Sequence, residues 1–423
     1  MPKEEQHPKV EILAPAGSFD SLSAAIQAGA DAVYFGVGNL NMRARSTVNF
    51  TLEDLEQITS LCRQKQVRTY LTVNTVIYPE ETGEVSRLLA TAQKAGVDAI
   101  IASDWAVISE AKKLGLKLHV STQCNITNLE AVRFYAQFAD VMVTARELNL
   151  KQVKEIVDGI RRERLKGPGG ELVKIEVFAH GALCMAISGK CYLSLDNLNR
   201  SANRGACLQP CRRRYLVKEV EEGTELLVDG KYILSPKDLC TIGFLDKILD
   251  AGVSVLKIEG RGRSPEYVKT VTSCYKEAVE SYFDGSYGEA KVKHWTHRLE
   301  EVYNRGFWDG YYLGRTLGEW TERYGSQARK TKVYVGKVNN FFTRLQVAEI
   351  LVENGELQTG DELLIEGPTT GVAEEKVTEI RVELQPVSKA AKGTACSIPL
   401  HDTVRRNDKV YKRINVCDSD LYE

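Results

Sequence analysis

The chain has 423 residues, of which 43% are hydrophobic and 27% charged, with 56 Lys and Arg against 57 Asp and Glu. These values are typical of a globular protein large enough for two or three domains, and they exclude a disordered or low-complexity chain. The net charge of −1 gives no overall attraction to polyanions, so contact with nucleic acid would depend on local basic patches. No stretch reaches the roughly 18 apolar residues that span a bilayer, and no secretion leader is recognisable, so we expect a cytoplasmic protein without membrane contact.

A short pattern, in which a helix ends, a glycine follows and an apolar strand begins, occurs three times. It is centred on Gly29, Gly96 and Gly252. Glycine suits the left-handed residue that ends a helix, and the apolar run suits a parallel strand covered on both faces. The sequence predicts eight such strands, at residues 10–14, 32–36, 68–73, 99–102, 116–120, 141–144, 174–179 and 255–259. With helices between them, at residues 18–28, 51–65 and 84–95 for example, this number favours an α/β fold with a closed, eight-stranded (β/α) TIM-type barrel; an open doubly wound sheet is the alternative.

The predicted domains follow from this strand count. The barrel would occupy residues 1–290, with an insertion after the seventh strand at 181–253, and a helical connector would follow at 291–330. From residue 331 to 423 short alternating runs separated by turns predict a small β-barrel, similar to the second domain of translation factors. Its basic pairs Arg405-Arg406 and Lys412-Arg413 either extend an RNA-binding surface or form an ordinary polar edge.

Polar residues follow several predicted strands. Barrel enzymes work at the C-terminal ends of their strands, so these residues are the first candidates for a site. They include Arg43, Arg45, Asn74, Gln123, Asn125, Arg146, His180, Glu259 and Arg261. Several arginines at one mouth would suit a small carboxylate or phosphate, although any one of these residues could equally serve as a strand-end hydrogen bonder.

Four of the ten cysteines lie within 28 residues, directly after the seventh predicted strand. They are Cys184, Cys191, Cys207 and Cys211, spaced C-x6-C-x15-C-x3-C. In a reducing compartment such a group is more typical of metal binding or catalysis than of disulfides. The spacing lacks the paired C-x2-C knuckles of zinc ribbons and favours an iron–sulfur cluster, with zinc or unligated core cysteines as alternatives. Cys240 is a possible substitute for the fourth ligand.

The cysteine segment EVFAHGALCMAISGKCYLS (176–194) closely resembles the signature of the collagenase-like peptidase family U-thirty-two. Further matches are LAPAG (13–17), GADAVYFG (29–36), GACLQPCRRRY (205–215), LSPKDL (234–239) and LKIEGR (256–261). Proteolysis, which the family name implies, has little support in the residues, because HExxH and GxSxG motifs are absent from the sequence.

The resemblance implies an enzyme of the kind that hydroxylates tRNA, ribosomal RNA or ubiquinone without molecular oxygen, using a 4Fe–4S cluster and, for RNA, prephenate as hydroxyl donor. The second cysteine of GACLQPC favours the tRNA branch, which forms 5-hydroxyuridine at the wobble position, and favours Cys211 as fourth ligand. Candidate catalytic residues are His180, Glu176, Asn74 and Glu259; Arg43, Arg45, Gln123, Asn125, Arg146 and Arg261 are candidates for substrate binding, and Arg204, Arg212, Arg213 and Arg214 for contact with tRNA. The alternatives are a peptidase and a non-catalytic subunit that scaffolds a paralogous partner.

Overall fold

The structure, a computed structural model, describes residues 10–45, 49–215, 232, 234–315 and 318–416. Strands and helices alternate along its first three hundred residues. In chain order they are β1 (Glu11–Pro15), α1 (Phe19–Gln27), β2 (Ala32–Gly36), α2 (Asp54–Gln64), β3 (Arg68–Val73), α3 (Thr82–Ala95), β4 (Ala99–Ala102), α4 (Trp105–Lys113), β5 (Leu118–Val120), α5 (Leu129–Tyr135), β6 (Val141–Val143), α6 (Leu150–Glu163), β7 (Lys174–Ala182), α7 (Leu193–Leu198), β8 (Asp238–Cys240), α8 (Leu245–Asp250), β9 (Val255–Ile258), α9 (Pro265–Phe283), α10 (Glu289–Glu301) and β10 (Phe307–Trp308).

Eight of these strands form a closed parallel barrel. Each strand from β1 to β7 pairs with the next, β7 pairs with β9, and β9 pairs with β1. The predicted TIM-type barrel is therefore confirmed, and the open doubly wound sheet is excluded. Strand β7 runs three residues beyond its predicted end, because its last residues pair antiparallel with β8, a strand that the sequence did not indicate. The insertion thus begins and ends on one two-stranded ladder.

The three glycine joints have the expected backbone conformation. Gly29, Gly96 and Gly252 have φ angles of 79°, 76° and 82°, in the left-handed region that a side chain disfavours. At the other end of α1, the Ser18 hydroxyl accepts a hydrogen bond from the backbone N–H of Ser21 at 3.2 Å and caps the helix. The glycines thus set the turns that lead into β2, β4 and β9, whereas Ser18 fixes a loop at the opposite, C-terminal face of the barrel.

The main hydrophobic core lies between the barrel strands and the surrounding helices. A smaller apolar layer inside the barrel includes Leu13, Tyr34, Tyr70 and Ile101. The barrel interior also holds charged side chains, among them Glu176 and Lys257, which are buried. Charged groups are rarely buried unless they are paired, so their contacts bear on function.

The C-terminal part consists of antiparallel strands around a second core. The strands are β11 (Lys330–Phe342), β12 (Val347–Val352), β13 (Glu356–Gln358), β14 (Glu362–Gly367), β15 (Gly371–Lys376), β16 (Ile380–Val382), β17 (Gln385–Val387), β18 (Lys389–Ala391), β19 (Ala395–Pro399) and β20 (Lys409–Asn415). Eight of them form one sheet whose edges are β15 and β17, and β13 pairs with β18. No ladder joins β15 to β17 in the described chain, so the sheet wraps its core without the full closure that a β-barrel requires.

The C-terminal sheet packs against helices α1 and α9 of the barrel. Ala24 on α1 is buried against Leu364 and Val372, and the Gln27 side chain accepts a hydrogen bond from the Val372 N–H at 3.0 Å. Only the first part of the predicted connector is helical, since β10, which pairs with β8, follows α10. In the part of the chain that the structure describes, no helix is both long and apolar enough to span a membrane.

Candidate functional site

One cavity opens at the C-terminal ends of the barrel strands, and the insertion after β7 forms its outer wall. Its charged and cysteine lining residues are Arg43, Arg146, Arg212, Lys257, Glu259, Arg261, Cys184, Cys191, Cys207 and Cys211. Five cationic side chains therefore face one carboxylate. A cavity with this balance favours an anionic ligand.

The four clustered cysteines all line this cavity, and none forms a disulfide. The pKa of the Cys211 thiol is raised to about 11, mainly by burial. The neighbouring Arg212 acts against this rise, and the other three cysteines add to it. All four thiols are therefore within electrostatic range of Cys211. Cys240, the alternative fourth ligand, does not line the cavity: it pairs with His180 in the β7–β8 ladder, and its thiol contacts the Tyr275 hydroxyl.

The residues present fit a cluster better than a single metal ion. A zinc ion with Zn–S bonds of about 2.3 Å draws its thiolates to one point, whereas each thiolate of a four-iron cluster binds a different iron. Among the described residues, no three His, Cys, Asp or Glu side chains converge closely enough to hold one metal ion. Four thiols that line one cavity are compatible with a cluster, and Cys184, Cys191, Cys207 and Cys211 would hold it.

Two arginines at the cavity are already engaged by the protein. Arg43 donates to Glu259 Oε1 at 2.7 Å, and the guanidinium of Arg212 donates to the carbonyl oxygens of Leu183 and Pro236 at 2.6 and 2.7 Å. Burial would raise the pKa of Glu259, but Arg43, Arg263 and Arg146 together lower it to about 2. Glu259 is therefore ionised at neutral pH and orients Arg43. Arg212, which the sequence predicts to contact RNA, ties the middle of the insertion to both of its ends.

Arg146 and Arg261, like Arg212, have no carboxylate partner among the described residues. The Arg146 guanidinium lies 4.1 Å from the centre of the Phe178 ring, and its buried Nε has no hydrogen-bond partner among the described residues. Arg261 donates only to neutral oxygens, Asn41 Oδ1 at 3.0 Å and Thr72 Oγ1 at 2.8 Å. Burial lowers the pKa of Arg261 to about 10, so it remains charged at neutral pH. Both guanidinium groups can accept an anionic ligand.

Lys257, in the middle of β9, also lines the cavity and was missed by the sequence analysis. Its ammonium donates to Glu176 Oε1 at 2.7 Å and lies 4.7 Å from the centre of the Tyr34 ring. Burial would raise the pKa of Glu176, but Lys257 and His119 lower it. Glu176 does not itself line the cavity, and it serves as the ionised partner of Lys257. A lysine within an otherwise apolar strand was the signal that could have revealed it.

The predicted polar residues of the mouth divide into two groups. Asn74 and Gln123 line the cavity; Asn74 Oδ1 accepts from the Met42 N–H at 3.2 Å, and its Nδ2 donates to Ser121 Oγ at 3.3 Å. Asn125 does not line it, since it adopts a left-handed conformation and its side chain turns back to the Gln123 carbonyl. Asn74 therefore holds the loop that carries Arg43.

The structure does not bring His180 to the cavity. Its ring is buried beside Tyr267, Tyr275 and Phe307, with Nδ1 at 3.4 Å from the Tyr275 hydroxyl. Burial, and secondarily Arg263, lowers the pKa of His180 to about 3, so the imidazole is neutral. In the described chain no histidine lines the cavity, and no cysteine there has a histidine base beside it.

The remaining predicted arginines lie outside the cavity. Arg45 and Arg204 line a second cleft next to it. The Arg204 guanidinium forms an ion pair with Glu81 and lies 4.0 Å from the centre of the Tyr78 ring. Arg213 is exposed, and Arg214 Nε donates to the Tyr232 hydroxyl at 2.7 Å.

Comparison with known proteins identifies the family of this site. The model of "Peptidase family U32" matches residues 17–322, which include the whole barrel after β1 and all four clustered cysteines. The chain is a member of peptidase family U32. Among its relatives is a protein of Porphyromonas gingivalis (strain W83) named "Collagenase", 59% identical over 402 residues, which cover 95% of this chain and 97% of the relative.

Two more distant U32 relatives have names that refer to RNA. The "tRNA hydroxylation protein P1" of Bacillus subtilis is 32% identical over 371 residues, covering 85% of this chain and 84% of that protein. The "23S rRNA 5-hydroxycytidine C2501 synthase" of Escherichia coli is 33% identical over 318 residues, covering 74% of this chain and 46% of that protein. The U32 family thus includes RNA-hydroxylating proteins beside proteins named as proteases.

Proposed function

We propose that this U32 protein is an oxygen-independent RNA hydroxylase that forms 5-hydroxyuridine at the wobble position of tRNA. The observation that carries the proposal is one cavity at the C-terminal mouth of the barrel that is lined both by four free cysteines and by Arg146 and Arg261, which have no carboxylate partner within the described residues. The names of the two RNA-hydroxylating relatives support the class of reaction. Cys184, Cys191, Cys207 and Cys211 would hold a 4Fe–4S cluster.

The chain's own residues account for binding of an anionic co-substrate, which we propose is prephenate. Arg146 and Arg261 are placed to bind its two carboxylates, since neither has a carboxylate partner within the described residues. Glu259 keeps Arg43 oriented, and Glu176 pairs with Lys257. When bound, the cluster would supply redox chemistry or activation of a substrate atom beside this anion site.

Anaerobic reconstitution and analysis of wobble nucleosides test the proposal. We expect the purified protein to bind about four irons and to show the broad visible absorption of a cluster after reconstitution. Mass spectrometry of tRNA nucleosides should then show less 5-hydroxyuridine and fewer of its derivatives in a deletion strain, with recovery on complementation. A colourless, iron-free protein after reconstitution, or unchanged nucleosides in a strain without a redundant enzyme, would refute it.

A second candidate function is proteolysis, favoured by the name of the 59% identical relative. A cysteine peptidase needs a base within hydrogen-bond reach of its nucleophile. The cavity offers free thiols, but its described lining contains no histidine. Cleavage of gelatin by the iron-free protein, abolished by Cys184→Ser, would favour this candidate over the hydroxylase.

A further inference from the structure

A second cleft lies beside the cysteine cavity and differs from it in chemistry. Its polar lining includes Arg45, Arg200, Arg204, Glu81, Glu84 and Asn199. The cysteine cavity lies within the barrel mouth, whereas this cleft lies between the loop after β2, the start of α3 and the insertion.

The two cavities share a thin wall made of two chain segments. In the loop after β2, Arg43 lines the cysteine cavity and Arg45 lines the cleft. In the insertion, Asn203 lines the cavity and Arg204 lines the cleft. In each segment, residues that line the cysteine cavity and the cleft are only one or two positions apart. A ligand that occupies both the cavity and the cleft therefore needs to cross only the rim of this wall.

The wall is closely packed. The Arg45 N–H donates to the Gly205 carbonyl at 3.2 Å, and Gly205 has a φ angle of 75°. A Cβ atom at Gly205 would lie 2.3 Å from the Asn41 carbonyl oxygen and 2.9 Å from the Ala44 Cβ. Only glycine allows this approach, so the cleft keeps a defined position beside the cavity.

The arginines of the cleft differ in whether they have hydrogen-bond or ion-pair partners within the protein. Arg204 is held by Glu81 and by the Val76 carbonyl, so it forms part of the wall. Arg45 and Arg200 are exposed, and in the described chain their guanidinium groups have no hydrogen-bond or ion-pair partner. Glu84, also exposed, is the carboxylate that remains in the cleft, and it opposes the binding of an anion.

We infer that the cleft is a subsite for the RNA backbone, which binds the phosphate adjacent to the nucleotide that enters the cysteine cavity. This inference rests on the proposed function. An enzyme that modifies a base inside a cavity must take the nucleotide out of its stack, so the flanking phosphates lie at the rim. Guanidinium groups bind phosphate oxygens in a bidentate manner, and Arg45 and Arg200 are free to do so. The ligand is single-stranded loop RNA, which is the form whose bases can be extruded.

Binding of a fluorescently labelled tRNA anticodon stem-loop to the full-length protein, measured by anisotropy over a series of salt concentrations, tests the subsite. We expect Arg45→Gln and Arg200→Gln each to weaken binding about threefold to tenfold and to lower the slope of log K against log salt by about 0.7, the value for one phosphate contact. Glu84→Gln should strengthen binding, because it removes a negative charge from the cleft. The matched control is Arg162→Gln, an exposed arginine on α6 whose side chain is 69% accessible; its affinity should equal that of the wild type.

The outcomes separate the subsite from the reaction. If the wild type binds the stem-loop and Arg45→Gln, Arg200→Gln and Arg162→Gln are all equivalent to it, the subsite is refuted and the proposed function stands. If the wild type does not bind the stem-loop, both are refuted. If binding depends on Arg45 and Arg200 but tRNA nucleosides are unchanged in the deletion strain, the subsite stands and the proposed reaction does not.

Discussion

The mouth of the barrel and the C-terminal sheet are both rich in charge, but they use it in opposite ways. On the sheet, cations are paired across strands and loops: Lys330 with Glu362 at 2.9 Å, Lys337 with Glu353 at 2.9 Å, and Lys412 with Asp361 at 3.3 Å. At the mouth, Arg146 and Arg261 have no carboxylate partner within the described chain. Paired surface charges stabilise a fold weakly, whereas unpaired buried charges favour a ligand of opposite sign. The comparison therefore distinguishes the mouth, whose charges favour a ligand, from the C-terminal sheet, whose charges are satisfied within the protein.

The largest expected effect concerns the cysteines of the mouth. We expect each of Cys184→Ala, Cys191→Ala, Cys207→Ala and Cys211→Ala to lose iron and hydroxylation altogether, because a cluster requires all four thiolates. Cys240→Ala, the matched control, should retain iron, since Cys240 does not line the cavity. Iron content after anaerobic reconstitution is the measurement; loss of iron in Cys240→Ala with retention in Cys211→Ala would reverse the ligand assignment.

A smaller effect is expected for the unpaired guanidinium of Arg146. Arg146→Gln should lower kcat/KM for the anionic co-substrate about tenfold to a hundredfold, which corresponds to the about 1.5–3 kcal/mol of a hydrogen bond to a charged group. Arg146→Lys should recover part of this loss, because it keeps the charge without the bidentate fork. Lys337→Gln, which breaks a pair on the sheet, is the control. Equal effects of Arg146→Gln and Lys337→Gln would remove the distinction between the two regions.

The pH dependence of unfolding tests whether the His180 side chain is exposed at the mouth or buried in the protein behind it. The pKa of His180 is lowered from 6.5 to about 3 by burial, so between these values the unfolded chain binds a proton that the folded chain does not. Stability therefore falls as pH falls below 6.5, by about 2 kcal/mol between pH 7 and pH 5 from this one group. Urea unfolding of the wild type and of His180→Gln at both pH values measures it. An unchanged pH dependence in the variant would indicate a solvent-exposed imidazole.

The smallest effect is expected on the C-terminal sheet. Lys412→Gln should cost about 1 kcal/mol of stability, because it breaks a half-buried ion pair with Asp361, and should leave affinity for the RNA stem-loop unchanged. Thermal unfolding and anisotropy are the measurements. A decrease of RNA affinity as large as that of Arg45→Gln would show that the basic pairs of the sheet form part of the RNA-binding surface.

The sequence predicted the barrel because its signals are local and repeated. Apolar strands and helix-ending glycines recur at a regular spacing, and Gly29, Gly96 and Gly252 adopt the expected conformation. Strand β8 gave no such signal, because its three residues pair with the extension of β7 and with the two-residue strand β10, which are distant in the sequence. The antiparallel strands of the C-terminal part were also predictable, whereas the order of strands in their sheet depends on pairings of distant segments that no local pattern specifies.

The candidate site was predictable where strand ends alone position a side chain. Arg43, Asn74, Gln123, Arg146, Glu259 and Arg261 all line the cavity. For the other residues, the outcome depended on where the strand ends and on which side of the strand the side chain lies. His180 follows the predicted strand end but lies within the longer β7, which turns its ring into the protein, and Lys257 lies in mid-strand yet faces the mouth. The role of Arg212 depends on carbonyl groups from distant parts of the chain, which a sequence pattern does not contain.

The antiparallel ladder of β7 and β8 brings the two ends of the cysteine segment together. Its two ends leave the barrel side by side at Ala182 and Asp238, so the span between them is fixed by one strand spacing whatever the length of chain in between. The entropy of closing such a loop grows only slowly with length. The length of the segment can therefore change without moving its two ends, and an engineer who exchanged it between U32 proteins by two cuts at this ladder would also have to keep its contacts with the loops after β2 and β3.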